Sequence, residues 1–204
     1  ILTDEDPIEY DHQHKKCIIS QREVGKDTES FDIALKNALR QHPALIIVGE
    51  IRDKSTMQHA LNISETGHLA LATLHANNAN QAIERVLTFY SQEEKRQTLL
   101  TLSFNLRCIM SQRLVRKQTG GRRAVNEIML ADKEILNMIA NGETKSLKEA
   151  IARKNDLGMI TFDQSLINLY KEGIISKEVA LGESDDRFEM KDIIENIENK
   201  KEED

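Results

Sequence analysis

Leu45-Ile46-Ile47-Val48-Gly49-Glu50-Ile51-Arg52-Asp53 is the stretch on which the reading of this sequence turns. Four apolar residues in a row, three of them β-branched, read as a short strand buried on both faces. The run then breaks into Gly-Glu-Ile-Arg-Asp, which sets acidic and basic groups where the strand leaves the core. Ligands of open parallel sheets bind beyond the carboxyl ends of the strands, so Glu50 is a candidate functional carboxylate. A Glu directly after a β-run is the arrangement with which phosphoryl-transfer ATPases orient water and Mg²⁺. A strand-end Glu in a surface ion pair produces the same pattern, and the rest of the chain has to separate the two.

Bulk properties narrow the class. The 204 residues are 39% hydrophobic and 30% charged, the balance of a soluble globular chain of one domain or a domain with an appendage. Aromatics are 4% and Trp is absent, so the core is expected to be aliphatic. The net charge of −6 speaks against broad, sequence-independent nucleic-acid binding. No apolar run reaches membrane-spanning length and the start has no signal-peptide pattern, so a cytosolic protein is expected. Cys17 and Cys108 lack zinc-site spacing and read as reduced, mostly packed thiols.

Outward from the central stretch, the order of elements is that of an α/β layer. Ile1-Leu2-Thr3 opens mid-pattern without an initiator Met, and the chain reads as a C-terminal fragment. Its strand end runs into an acidic cluster from Asp4 to Glu9, which can hold a cation, act as a base, or form a solvated turn. A strand is expected over 16–24. Phe31, Ala34, Leu35, Ala38 and Leu39 have helical spacing, with Ser30 as N-cap and Pro43 as stop. After Glu50, Asp53 or Ser55 caps a helix ending near Gly67, His68 to His75 forms a second apolar strand, and 77–89 a further helix. Strand, helix, strand, helix predicts a parallel sheet. A long helix is expected over 93–112, a hairpin around Gly120-Gly121, and only helices after Ala131. Met190, Ile193, Ile194 and Ile197 predict a frayed amphipathic helix in the charged tail, with disorder from about Lys200. The expected divisions are 1–131, 132–186 and 187–204.

Together these segments resemble the type IV pilus retraction ATPases, the PilT/PilU branch of the secretion-ATPase superfamily. Thr3-Asp4-Glu5-Asp6-Pro7-Ile8-Glu9-Tyr10 resembles the family's Asp box, Leu39 to Asp53 its Walker B signature, and Glu65 to His75 its His box. Ser111-Gln112-Arg113-Leu114 and Gly158 to Asp163 resemble later landmarks. The resemblance implies a RecA-like P-loop ATPase core, here partial, with a C-terminal helical subdomain. It implies ATP and Mg²⁺ as cofactors. It makes Glu50 the carboxylate that orders metal and attacking water, and Glu9 a candidate general base. His75, at the carboxyl end of its strand, is ranked as the γ-phosphate sensor. His68, about 23 Å away at strand rise, is assigned to a subunit interface or a structural hydrogen bond. Arg52 is left open between a phosphate and an acidic neighbour.

The implied whole is a cytoplasmic homo-hexameric motor for pilus retraction and twitching motility, peripheral at the inner membrane. Its implied partners are a platform protein and, as a further candidate, a second retraction ATPase. Nucleic acid is not among them. Ala44 replaces the family's usual Asp, and Leu136 replaces the Arg of its retraction motif, which leans towards the PilU-like accessory branch. No G-x-x-x-x-G-K-[ST] occurs in the chain, so by itself it is expected to hydrolyse no ATP. A type II secretion or pilus assembly ATPase is the second reading, and a non-catalytic assembly module partnering an active ATPase the third.

Overall fold

The structure is a computed structural model that describes the backbone of residues 1–203 and the side chains of residues 1–200. It divides into two compact units, Ile1–His75 with Glu84–Asn105, and Ala76–Ile83 with Leu106–Asp204.

The first unit is built on four parallel strands, β1 (Leu2–Glu5), β2 (Ser20–Glu23), β3 (Leu45–Val48) and β4 (Leu69–Ala72), in the order β2-β1-β3-β4. The expected parallel α/β layer is therefore present. β3 is interior, and Ile46 and Val48 are fully buried, worth about 1.5–3 kcal/mol each. Helix α1 (Phe31–Ala38) is capped by Ser30, whose side chain accepts from Ile33 N, and buries Ala34, Leu35 and Ala38. Helix α2 (Lys54–Glu65) is capped by Asp53, which accepts from Thr56 N at 2.8 Å, so Asp53 rather than Ser55 starts it. The chain leaves α2 through Gly67 at φ 86°, a value open to glycine at no steric cost.

Three expectations shift here. The strand expected over 16–24 shortens to β2, since Ile18 is exposed and Ile19 N donates to His14 Nδ1 at 3.1 Å instead of to a ladder. β4 is an edge strand, so Leu69 and Leu71 are half exposed rather than buried. Helix α3 covers Ala79–Leu87, and α4, over Lys95–Asn105, stops seven residues short of Gln112. The segment beyond it joins β5 (Cys108–Arg116), which pairs antiparallel with β6 (Arg122–Leu130) from Cys108↔Leu130 to Arg116↔Arg122.

That ribbon belongs to the second unit. The boundary expected near Ala131 falls inside this unit, because Ile128 and Ile160 exchange backbone hydrogen bonds of 2.9 and 3.1 Å. Helices α5 (Lys133–Asn141), α6 (Leu147–Ala152), α7 (Phe162–Lys171), α8 (Lys177–Glu183) and α9 (Arg187–Glu203) complete it. Asp132 caps α5, and Thr161 with Gln164 forms a capping box on α7. Val115, Val125, Phe162, Leu166, Leu169, Ile175 and Ala180 form its core together with Met190 and Ile194 of α9. The tail helix is thus docked rather than frayed. Tyr170 Oη donates to Glu198 Oε1 at 2.7 Å and Lys177 pairs with Glu198 at 2.6 Å, so α9 is tied to α7 and α8 by charge as well as packing. The expected disorder from Lys200 meets helix as far as Glu203, and Asp204 lies outside the described residues. Both cysteines are free, and both are exposed rather than packed.

Candidate functional site

Parallel pairing of β3 with β4 sets their carboxyl ends side by side, with Val48 opposite Ala72. The chain beyond each strand is then locked to the other. Thr73 N donates to Val48 O at 3.3 Å, Ile51 N donates to Thr73 O at 2.9 Å, and Thr73 Oγ1 donates to Gly49 O. Ile51 is buried. Glu50 is therefore held between two anchored residues and presents its carboxylate at a fixed place.

Gly49 is required there. Its N–H donates to Asp4 O at 2.7 Å, and a Cβ on it would lie 2.9 Å from that oxygen and 3.1 Å from Glu5 Cα, both backbone atoms. Gly49→Ala is expected to force β1 and β3 apart at a cost of about 1–3 kcal/mol. Chemical denaturation checks this, and an unchanged midpoint counts against the close approach.

The carboxylate of Glu50 is engaged on both oxygens. Oε1 lies 2.9 Å from His75 Nε2, and Oε2 accepts from Arg52 Nε at 2.6 Å. Arg52 reaches on with Nη1 to Asp6 Oδ2 at 3.2 Å. The chain is thus His75–Glu50–Arg52–Asp6, and Arg52 is kept charged more firmly than usual, first by its bond to Glu50. Glu50 is 18% exposed and His75 87% exposed, so the imidazole faces solvent on the open side of the carboxylate. Arg52 thus pairs with acidic neighbours on both sides.

The other expected site residues scatter. Glu9 is exposed and has no hydrogen-bond or ion-pair partner among the described residues. His68 sits before β4, its Nδ1 3.1 Å from Thr66 Oγ1, and is not brought to Glu50. The acidic cluster does not act as one group. Asp4 is fully buried in β1 and clasped by Arg22 of β2, with Nε to Oδ1 at 2.7 Å and Nη2 to Oδ2 at 3.0 Å. Burial still outweighs Arg22 and pushes the Asp4 carboxyl above its ordinary range. Glu5 accepts from Thr3 Oγ1 at 2.6 Å and from Gln21 Nε2 at 2.9 Å. Asp6, a member of the acidic cluster, and Thr73, which was not singled out as a site residue, complete the Glu50 site. Thr73 stood in the apolar run before His75, and its role depends on strand pairing.

Among the described residues no three His, Cys, Asp or Glu side chains gather as a metal site. Mg²⁺ is usually bound through one or two carboxylates together with phosphates and water, and the carboxylate of Glu50 is of the type that could hold it. In the second unit a cleft is lined by Asp132, Glu134, Asn137, Met138, Asn141 and Lys154. Lys154 pairs there with Glu134 at 3.0 Å and with Asp132, so the polar groups satisfy one another.

The family model described as Type II/IV secretion system protein matches residues 1–120. Over 192 residues the chain is 50% identical to the type IV pilus ATPase PilU of Pseudomonas aeruginosa, covering 94% of this chain and 50% of that protein. It is 44% identical over 180 residues to the PilT pilus retractation ATPase of the same organism, covering 88% and 52%. The chain thus spans about half the length of the curated relatives it matches. A solved structure of the pilus retraction motor PilT with bound ADP superposes with a TM-score of 0.83 at 42% identity, over 93% of this chain and 53% of that one. The Legionella pneumophila ATPase DotB follows at 0.77 and 28%, over 88% and 49%.

Proposed function

Because the chain belongs to the type II/IV secretion system protein family, we propose that it is the carboxylate-bearing part of a RecA-like ATPase that powers type IV pilus retraction. The observation that carries this reading is the 2.9 Å approach of His75 to Glu50 at the carboxyl ends of adjacent parallel strands. Bound Mg²⁺–ATP supplies the phosphoryl group to be transferred. Glu50 orients the attacking water and offers a carboxylate to the metal. Its own position is set by the Thr73 clamp, so little reorganisation is needed when substrate arrives. His75, exposed beside it, is placed to hydrogen-bond a terminal phosphate oxygen. Arg52 occupies the second oxygen of Glu50 and holds the carboxylate in one orientation. Glu9 is kept as a second candidate base, and His68 as an interface or structural residue.

In this reading residues 1–131 serve the ATPase, 132–186 a helical subdomain and 187–204 a tail. The parent is a cytoplasmic homo-hexamer peripheral at the inner membrane, working with a pilus platform protein and a second retraction ATPase. Two observations support placing it in the accessory branch: Leu136 where the retraction motif has Arg, and the 50% identity to a PilU. The loop G-x-x-x-x-G-K-[ST] does not occur in these 204 residues, so the chain alone is proposed to lack turnover.

The test is ATPase assay of the full-length parent with Glu50→Gln, His75→Gln and Glu9→Gln. Glu50→Gln is expected to lower turnover about 100-fold with nucleotide affinity nearly unchanged. Unchanged turnover in that variant overturns the assignment. Robust magnesium-dependent turnover by the 204-residue chain overturns the claim that it is inactive alone.

A further inference from the structure

The β5–β6 ribbon ends in a cluster of cations that no ion pair neutralises among the described residues. Arg116 and Arg122 stand directly opposite each other across the ladder, and Lys117 and Arg123 flank them. Like charges in that position destabilise a strand pair. Among the described residues no ion pair or side-chain hydrogen bond engages any of the four, although the chain carries a net charge of −6. Arg116, Arg122 and Arg123 are exposed.

Strand alternation sets further residues on the face of the arginine pair. Met110 and Leu114 point the same way along β5 and are 65% and 56% exposed, with Ile128 and Ala124 as their cross-strand partners. Between them lies the polar cross-strand pair Gln112–Asn126, so this face carries apolar pairs on either side of a polar one and is cationic at its tip. The tip is also held still: Gln118 N donates to Ile174 O and Gln118 Nε2 to Ile175 O, both at 2.9 Å.

We propose that this ribbon face docks on an anionic phospholipid surface, with Arg116 and Arg122 among the headgroup phosphates and Leu114 and Met110 at the acyl boundary, while Arg123, opposite Val115 on the other face, and Lys117, beyond the strand end, add positive charge at the tip. The three exposed arginines form an open array, which suits a surface whose anionic groups move laterally to meet them. Guanidinium forks match phosphate oxygens in pairs. Exposed aliphatic side chains on the same face add burial that a freely dissolved anion cannot give. Among the described residues no helix is long and apolar enough to cross a membrane, so the contact is peripheral. The inference stands apart from the Glu50 site and holds whether or not that site hydrolyses ATP.

The experiment is co-sedimentation of the 204-residue chain with vesicles of phosphatidylglycerol and phosphatidylcholine, against phosphatidylcholine alone, at low and physiological salt. Wild type is expected to partition to the anionic vesicles only, less so as salt rises. Arg116→Gln/Arg122→Gln is expected to weaken partition roughly 25-fold, about fivefold for each cation removed. Leu114→Ser weakens it further with little change in salt dependence. Lys15→Gln/Lys16→Gln removes the same charge from an exposed loop and is expected to leave partition nearly intact. Thermal melts of each variant confirm folding. Equal partition to both vesicle types, or no loss in the arginine variant, overturns the proposal. So does arginine-dependent self-association without vesicle binding, which assigns the face to a second copy. Stabilisation by inorganic phosphate without vesicle binding likewise overturns it, leaving a free-anion site.

Discussion

Arg22→Met is expected to cost about 3–5 kcal/mol of folding stability, because it strands a carboxylate that has no access to water. Asp4 is fully buried, and two of the guanidinium's three bonds go to its two oxygens. The third, from Nη2 to Ala34 O at 3.1 Å, ties the β1–β2 pair to α1. Methionine keeps most of the volume and removes the charge, so the loss reports the unpaired Asp4 rather than a cavity. A pH arm separates the two. Burial already holds the Asp4 carboxyl above its ordinary range, and without Arg22 it rises further. The folded variant then takes up a proton at a higher pH than the unfolded chain does, so its stability increases as pH falls through that folded-state value. The deficit is expected to be larger at neutral pH than in mild acid. Asp4→Asn in the Arg22→Met background is expected to recover part of it. Urea midpoints at two pH values decide; a deficit independent of pH points to packing instead.

Phe162→Ala is expected to cost a similar 3–5 kcal/mol, in the second unit. Phe162 is fully buried at the start of α7, within the cluster that takes in Val115 and Val125 of the ribbon and Met190 and Ile194 of α9. The Arg113 guanidinium lies 4.0 Å from its ring centroid while pairing with Asp185 at 2.9 Å. Removing the ring therefore empties a core site and takes the aromatic face from a cation whose other contacts remain. Phe162→Leu fills most of the space and is expected to lose much less. Hydrogen exchange resolved along the chain checks where the effect falls. Protection is expected to drop across 106–200 for Phe162→Ala and across 1–75 for Arg22→Met. The reverse pattern overturns both assignments.

What was legible in the residues was mostly local. Ser30 and Asp53 announce helix starts by side-chain chemistry alone, and each accepts from a backbone N–H as that chemistry requires. Four apolar residues before Gly49-Glu50 marked an interior strand, and the order of elements implied parallel neighbours. The approach of His75 to Glu50 follows from that order. What escaped depended on pairing between distant segments. Leu99, Leu102, Leu106 and Ile109 fit a helix, yet Ile109, Ser111, Arg113 and Val115 also alternate, and the β6 partner decides for strand from Cys108 onward. The Asp4 carboxylate is a structural ion because β1 and β2 align Asp4 with Arg22. No spacing within 1–9 reveals that. Met190 and Ile194 show helical periodicity, but only α7 and α8 tell whether that face is covered.

The outer side of β4 has a consequence for how the Glu50 site can be extended. β4 ends the sheet, so its second row of backbone donors and acceptors faces no neighbouring strand among the described residues. The chain leaves β4 through Thr73 towards His75, on the same side as the exit of β3 towards Glu50. A further parallel strand joining this open rim would share the direction of β4, and the loop at its carboxyl end would emerge flanking His75. The geometry of the sheet thus reserves one seat at the site: the next loop in the row would face Glu50 across the imidazole, a strand's width of about 5 Å beyond β4.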